Sequence, residues 1–193
     1  RQLGAAAYRS SRLEWDKAAV RLGKSWRFVQ CALSFTQFWR KNRRFEAKFL
    51  GDKDSVGWVG MDGLLQRWES AAGLPEILLK IDIEGSEYQI VPAIAAHHRA
   101  VCGVVLEWHD LAVHWEQFEE LMESLLAEFV VAHIHGNNHR PLIDGTTVPS
   151  VIEMTLLNKQ LIGPDQEVAQ ADYPLELDCP CDPRRDDYRL TFS

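Results

Sequence analysis

Three stretches of this 193-residue sequence set carboxylates, imidazoles or amides at the end of an apolar run. The first is Lys80-Ile81-Asp82-Ile83-Glu84-Gly85-Ser86-Glu87-Tyr88. The second is Glu107-Trp108-His109-Asp110, and the third is His133-Ile134-His135-Gly136-Asn137-Asn138-His139. A core gains nothing from such residues, because burying unpaired charge is costly. Acids beside imidazoles suit proton transfer near neutral pH. Asp82 and Glu84 lie two apart on an expected strand and so point to one face. Glu107 and His109 share a face by the same parity, and His109 could act as a general base with a carboxylate to orient it. His133 and His135 also share a face, with His135 nearer the rim and preferred. Asp82, Glu107 and His135 or Asn137 offer hard oxygens plus an imidazole, a set that could hold a divalent cation.

Blander roles compete for several of these residues. Glu84, Ser86 or Glu87 could cap the following helix, whose N-terminus favours negative charge. Asn137 and Asn138 could make a turn with Gly136. His97, His98 and His114 read as structural. Cys31 and Cys102 sit in apolar runs and read as buried thiols. Cys179-Pro180-Cys181 has one intervening residue, not the two to four usual at zinc sites, and no second pair follows.

The elements that must position these residues alternate along the chain. Ser11-x-x-Glu14 resembles a capping box opening a helix through about Leu22. Trp26–Leu33 is a short strand candidate. The basic cluster Arg40–Arg44 reads as a solvated helix face. Met61, Leu64, Leu65 and Trp68 recur at helical spacing over about Met61–Ser70. Ile77–Ile83 is nearly all apolar, as a strand covered on both faces should be. A helix is expected over Ser86 to about Ala96, distorted at Pro92. Val101–Glu107 reads as a second buried strand. Trp115, Phe118, Met122, Leu125, Leu126 and Phe129 mark one face of the next helix. Val130–His135 and Val151–Leu157 complete the set. Strand–helix–strand units place the first strands parallel, and a last strand reached through a non-helical loop should enter antiparallel. That arrangement is typical of methyltransferase-like sheets. In an open parallel sheet ligands bind beyond the carboxyl ends of the strands, where the three stretches fall.

Composition narrows the classes. The chain is 46% hydrophobic and 25% charged, which suits a folded domain. Its formal charge of −7 argues against sequence-independent nucleic-acid binding. No apolar run is long enough to span a bilayer. The opening residues Arg1-Gln2-Leu3-Gly4-Ala5 carry no leader-like apolar core, and a reducing cytoplasmic setting is expected.

The ordered segments resemble the FkbM-type methyltransferases. Leu79–Tyr88 resembles that family's K-[IV]-D-[IV]-E-G-x-E segment, and Val105–His109 resembles its next strand. His133–Asn138 with Val148–Thr155 resembles its closing hairpin, and Leu177–Asp186 its Asp- and Pro-rich end. The resemblance covers about Trp26–Tyr188 and implies a single Rossmann-like class I domain over 1–193. It implies methyl transfer from S-adenosylmethionine to a hydroxyl of a small molecule or glycan. By position, Asp82, Glu84 and Glu87 match the signature, with Asp82 and Glu84 as cofactor-binding residues. Asp82, Glu84, His109 and His135 are the expected catalytic residues, and Asp82, Glu107 and Asn137 the expected ligands of a divalent cation. No G-x-G stands before Trp26, so the N-terminal cofactor-gripping part of such a domain is expected to be missing, with Arg1 marking a truncated start. Two other readings of the same rim are a metal-dependent hydrolase or lyase and a non-catalytic truncated domain serving association.

Overall fold

The computed structural model describes residues 46–69, 75–163 and 172–190. The N-terminal helix, the Trp26–Leu33 strand, the basic cluster and Cys31 lie outside them, and so does part of the expected single domain. Nearly all the described residues belong to one compact unit, Lys48–Ser193.

Two short strands, β1 (Phe49–Gly51) and β2 (Trp58–Gly60), pair in parallel and lead into α1 (Met61–Trp68). Sequence reasoning gave no sign of this pair, because each strand has three residues, too few for a period to show. The main sheet is built from β3 (Ile77–Ile81), β4 (Val101–Trp108), β5 (Phe129–Gly136) and β6 (Ile152–Asn158). Helix α2 (Glu87–Ala96) joins β3 to β4, and α3 (Leu111–Glu128) joins β4 to β5.

The spatial order is β3-β4-β6-β5. β3 and β4 are parallel, and β6 runs antiparallel to both of its neighbours. β3, β4 and β5 therefore point one way, and the last strand slots between β4 and β5 in the opposite sense. The expected antiparallel entry of that strand is present, and the α/β class with it. Its register sets Glu153 directly opposite Glu107 on one side and His135 on the other.

β4 lies inside the sheet, and Val101, Val104, Leu106 and Trp108 are all buried. Its sequence VCGVVLEW reads as a near-continuous apolar run for that reason. Trp108 meets Phe118 edge-on at 5.1 Å and tilts against Tyr88 at 5.2 Å. These rings join α2 and α3 to the sheet. Trp108 Nε1 is buried with no hydrogen-bond partner among the described residues.

Several boundaries and local features differ from expectation. β3 stops at Ile81 rather than Ile83, because the chain turns left-handed at Glu84 (φ 53°) and Gly85 (φ 99°). Helix α2 passes through Pro92 to Ala96. The non-helical residue lies instead in α3, at His114 (φ −112°). Phe129 opens β5 rather than closing the helix face, and Leu126 is exposed. Cys102 is half-buried rather than buried. His97 lies 3.0 Å from Asp62 and His98 3.5 Å from Glu128.

The C-terminal segment is pinned back over the end of the β5–β6 hairpin. Asn138, fully buried, donates from Nδ2 to the carbonyls of Asp182, Arg185 and Asp186, and its Oδ1 accepts from the Asp182 N–H at 2.6 Å. A Cβ on Gly136 would lie 2.8 Å from Pro149 and 3.2 Å from Tyr188, so only glycine admits this close approach.

Candidate functional site

The carboxyl ends of β3 and β4 bring the first two sequence stretches together. His109 follows β4 directly and is buried. Its Nδ1–H donates to Glu87 Oε1 at 2.9 Å. Glu87 is fully buried, and its carboxylate also accepts the N–H of Ile83 at 3.1 Å and of Gly85 at 2.9 Å. A carboxylate only accepts, so a ring proton sits on Nδ1 and the ring is held with Nε2 turned to the rim. Tyr88, next along α2, donates its hydroxyl to the His109 carbonyl and fixes the backbone as well. Burial, with the negative charges of Glu87 and Asp110, raises the Tyr88 pKa, so this donor keeps its proton.

Nε2 of His109 faces the rim acids. Glu84 lies 3.5 Å away, Asp82 3.9 Å and Glu107 3.9 Å. Strand parity was the wrong reason to bring Asp82 and Glu84 together, since both lie beyond β3. The left-handed turn at Glu84 and Gly85 does it instead. Asp110, beside His109, also has positive φ (52°). A left-handed conformation costs a side-chain-bearing residue about 1–2 kcal/mol, and such strain gathers at functional sites.

Capping also works differently from expectation. Ser86 occupies the N-cap position of α2 but makes no side-chain cap bond. Glu87 satisfies the turn's N–H groups and orients His109 with the same carboxylate. It is the residue whose role sequence reasoning missed. The usable signal was an acid at the first helical position, two residues after a glycine.

A recess of about 330 Å³ opens over this group, lined by Glu84, Glu107, His109, Asn137, His139 and Arg140. Asn137 enters it from the end of β5 and donates from Nδ2 to Glu107 Oε1 at 2.9 Å. A larger recess of about 600 Å³ lies at the C-terminal segment, among Asp172, Tyr173, Asp186, Asp187 and Arg189. The smaller one holds the His109 group and is the candidate site.

No family model, curated protein or solved structure matches this chain.

The remaining expected site residues fall into separate places. Donor atoms of Asp82, Glu84 and His109 lie within 4.8 Å of one another, a spacing that could hold a cation. Glu107 and Asn137, expected beside Asp82 as ligands, line the same recess and hydrogen-bond to each other at 2.9 Å. His135 stands apart from His109. Its Nε2–H donates to Asp187 Oδ2 at 2.8 Å, and its Nδ1 lies 3.6 Å from Glu153. Burial would lower its pKa, but the hydrogen bond and charge of Asp187, with Glu153 and Asp178, raise it on balance. His133 pairs with Asp178 of the C-terminal segment at 3.0 Å. Among the described residues no helix is long and apolar enough to cross a membrane.

Proposed function

We propose that this chain is a Rossmann-like methyltransferase domain that uses S-adenosylmethionine to methylate a hydroxyl of a small molecule or glycan. The observation that carries the reading is the buried Glu87–His109 pair with Nε2 facing the recess at the strand ends. The insertion of antiparallel β6 between β4 and β5 and the FkbM-like ordered segments add to it.

The chain's own groups divide the work. His109 takes the proton of the acceptor hydroxyl on Nε2, and Glu87 holds the imidazole in the tautomer that can do so. Asp82, Glu84 and Glu107 supply negative charge at the rim, which suits a sulfonium and ribose hydroxyls. Arg140 supplies a cation in the same recess, which suits the methionyl carboxylate. The residues thus fit the cofactor in charge, and S-adenosylmethionine when bound supplies the electrophilic methyl group. The remaining task is alignment of donor and acceptor, which the fixed ring and the turn at Gly85 serve.

The test is formation of S-adenosylhomocysteine when the chain and S-adenosylmethionine meet a panel of hydroxylated small molecules and glycans. Turnover that His109→Ala abolishes while cofactor binding persists supports the proposal. No product with any acceptor, together with no cofactor binding, overturns it.

A second reading has its own observation. The Asp82, Glu84 and His109 donors, within 4.8 Å of one another, suit a metal-dependent hydrolase or lyase. Loss of bound metal and of thermal stability on dialysis against chelator, restored by metal in the wild-type chain and in Cys181→Ser but not in the paired variant Asp82→Asn with Glu84→Gln, would favour it. No metal bound by Cys181→Ser, in which the rim is intact, would remove it.

A further inference from the structure

A second group of ligating side chains lies away from the His109 recess, where the C-terminal segment crosses the β5–β6 hairpin. His135 from β5, Glu153 from β6 and Cys181 from the segment place one donor atom each within 4.8 Å of the others. We propose that these three residues bind a zinc-type divalent transition-metal ion, which clips the C-terminal segment to the sheet.

The distances fit. His135 Nδ1 lies 3.6 Å from Glu153 Oε2, and Cys181 Sγ lies 3.8 Å from Glu153 Oε1. Tetrahedral zinc with its usual bond lengths sets neighbouring nitrogen, oxygen and sulfur ligands about 3.4–3.6 Å apart. Closure by a few tenths of an ångström at these two pairs suffices. The third pair, His135 with Cys181, is at most 4.8 Å apart and so needs to close by at most about 1.4 Å.

The chemistry selects the ion. An imidazole, a thiolate and a carboxylate suit zinc, whereas magnesium and calcium take oxygen ligands. Three protein ligands leave a fourth position for water. Asp187 completes the pattern from behind: it accepts the Nε2–H of His135 at 2.8 Å and so turns Nδ1 toward Glu153 and Cys181. A carboxylate on the far nitrogen of a ligating histidine is the usual way its orientation is fixed.

The sheet register gives an independent reason for a cation here. Glu153 stands directly opposite Glu107 across the β4–β6 pair. Like charges in that relation repel. Asp187 adds a further carboxylate at the His135 side. A bound dication offsets this repulsion.

Local spacing hid the site. Cys179-Pro180-Cys181 is no zinc pair by itself, since Cys179 is exposed and only Cys181 joins the group. The partners come from two strands reached by the chain's return.

The test is cobalt substitution of the intact chain, with zinc and cobalt content measured by mass spectrometry after dialysis. One ion per chain, with a sulfur-to-cobalt charge-transfer band in the near ultraviolet, is expected. Cys181→Ser should remove that band and Cys179→Ser should leave it. Asp187→Asn should weaken zinc binding about 10–100-fold. The paired rim variants Asp82→Asn and Glu84→Gln should leave both band and affinity unchanged. No stoichiometric metal in the wild-type chain, or binding without the thiolate band, overturns the proposal. So does a band lost in the rim variants and kept in Cys181→Ser. The wild-type spectrum decides the matter even if a variant fails to fold.

Discussion

Glu87 Oε1 accepts the Nδ1–H of His109 at 2.9 Å, and the same carboxylate holds the N–H groups of Ile83 and Gly85. One buried side chain thereby shapes the turn after β3 and sets the tautomer of the ring after β4. Removing it should disturb both. Glu87→Gln keeps the shape but offers an N–H where an acceptor is needed. Methyl transfer should fall about 10²–10⁴-fold, the usual worth of a positioned general base. S-adenosylhomocysteine formation checks this, and an altered pH–rate profile separates a positioning role from a merely structural one.

Glu84 holds a left-handed conformation at φ 53° without being glycine. Glu84→Gly should stabilise the fold by about 1 kcal/mol, since it releases the clash with Cβ. The same change removes a carboxylate 3.5 Å from His109 Nε2, so cofactor affinity should fall while the melting temperature rises. Urea denaturation and calorimetry measure the two effects.

His135 titrates against its acidic partners. Its pKa in the folded chain is raised because the hydrogen bond and charge of Asp187, with Glu153 and Asp178, outweigh burial. The stabilisation from the charged ring is full below the unfolded value of about 6.5 and is lost as pH rises through the folded value. In metal-free buffer, melting temperatures should therefore decline above about pH 6.5. Asp187→Asn should flatten that decline.

Leu106 and Phe129 are fully buried against the central sheet. Leu106→Ala should cost about 2–5 kcal/mol and Phe129→Ala about 3–5 kcal/mol. Trp108→Phe should cost less than either, because the indole N–H it removes has no partner among the described residues. Equilibrium urea unfolding ranks the three.

The sheet was legible where apolar runs were long and bounded. Ile77–Ile81, Val101–Trp108 and Ile152–Asn158 lie within two residues of their expected ends. The antiparallel last strand followed from a loop without helical period. Placing Asp82, Glu84 and His109 at one rim also held, because strand ends of one sheet must meet there. What stayed hidden was pairing across the chain. The acid after Gly85 marks a turn-binding carboxylate, but its partner His109 lies 22 residues on, and Asn137 pairs with Glu107 across 30, so neither pairing is local. The Asn138 bonds to the C-terminal segment span 44 to 48 residues and left no periodic trace. Likewise β1 and β2 are too short to carry one.

Calorimetric titration of the chain with S-adenosylhomocysteine tests the central claim most directly. Saturable binding, weakened at least about tenfold (about 1.4 kcal/mol) when Asp82 and Glu84 are neutralised together, is the predicted result. No heat of binding up to about 1 mM ligand, which leaves any binding free energy weaker than about −4 kcal/mol, would contradict it.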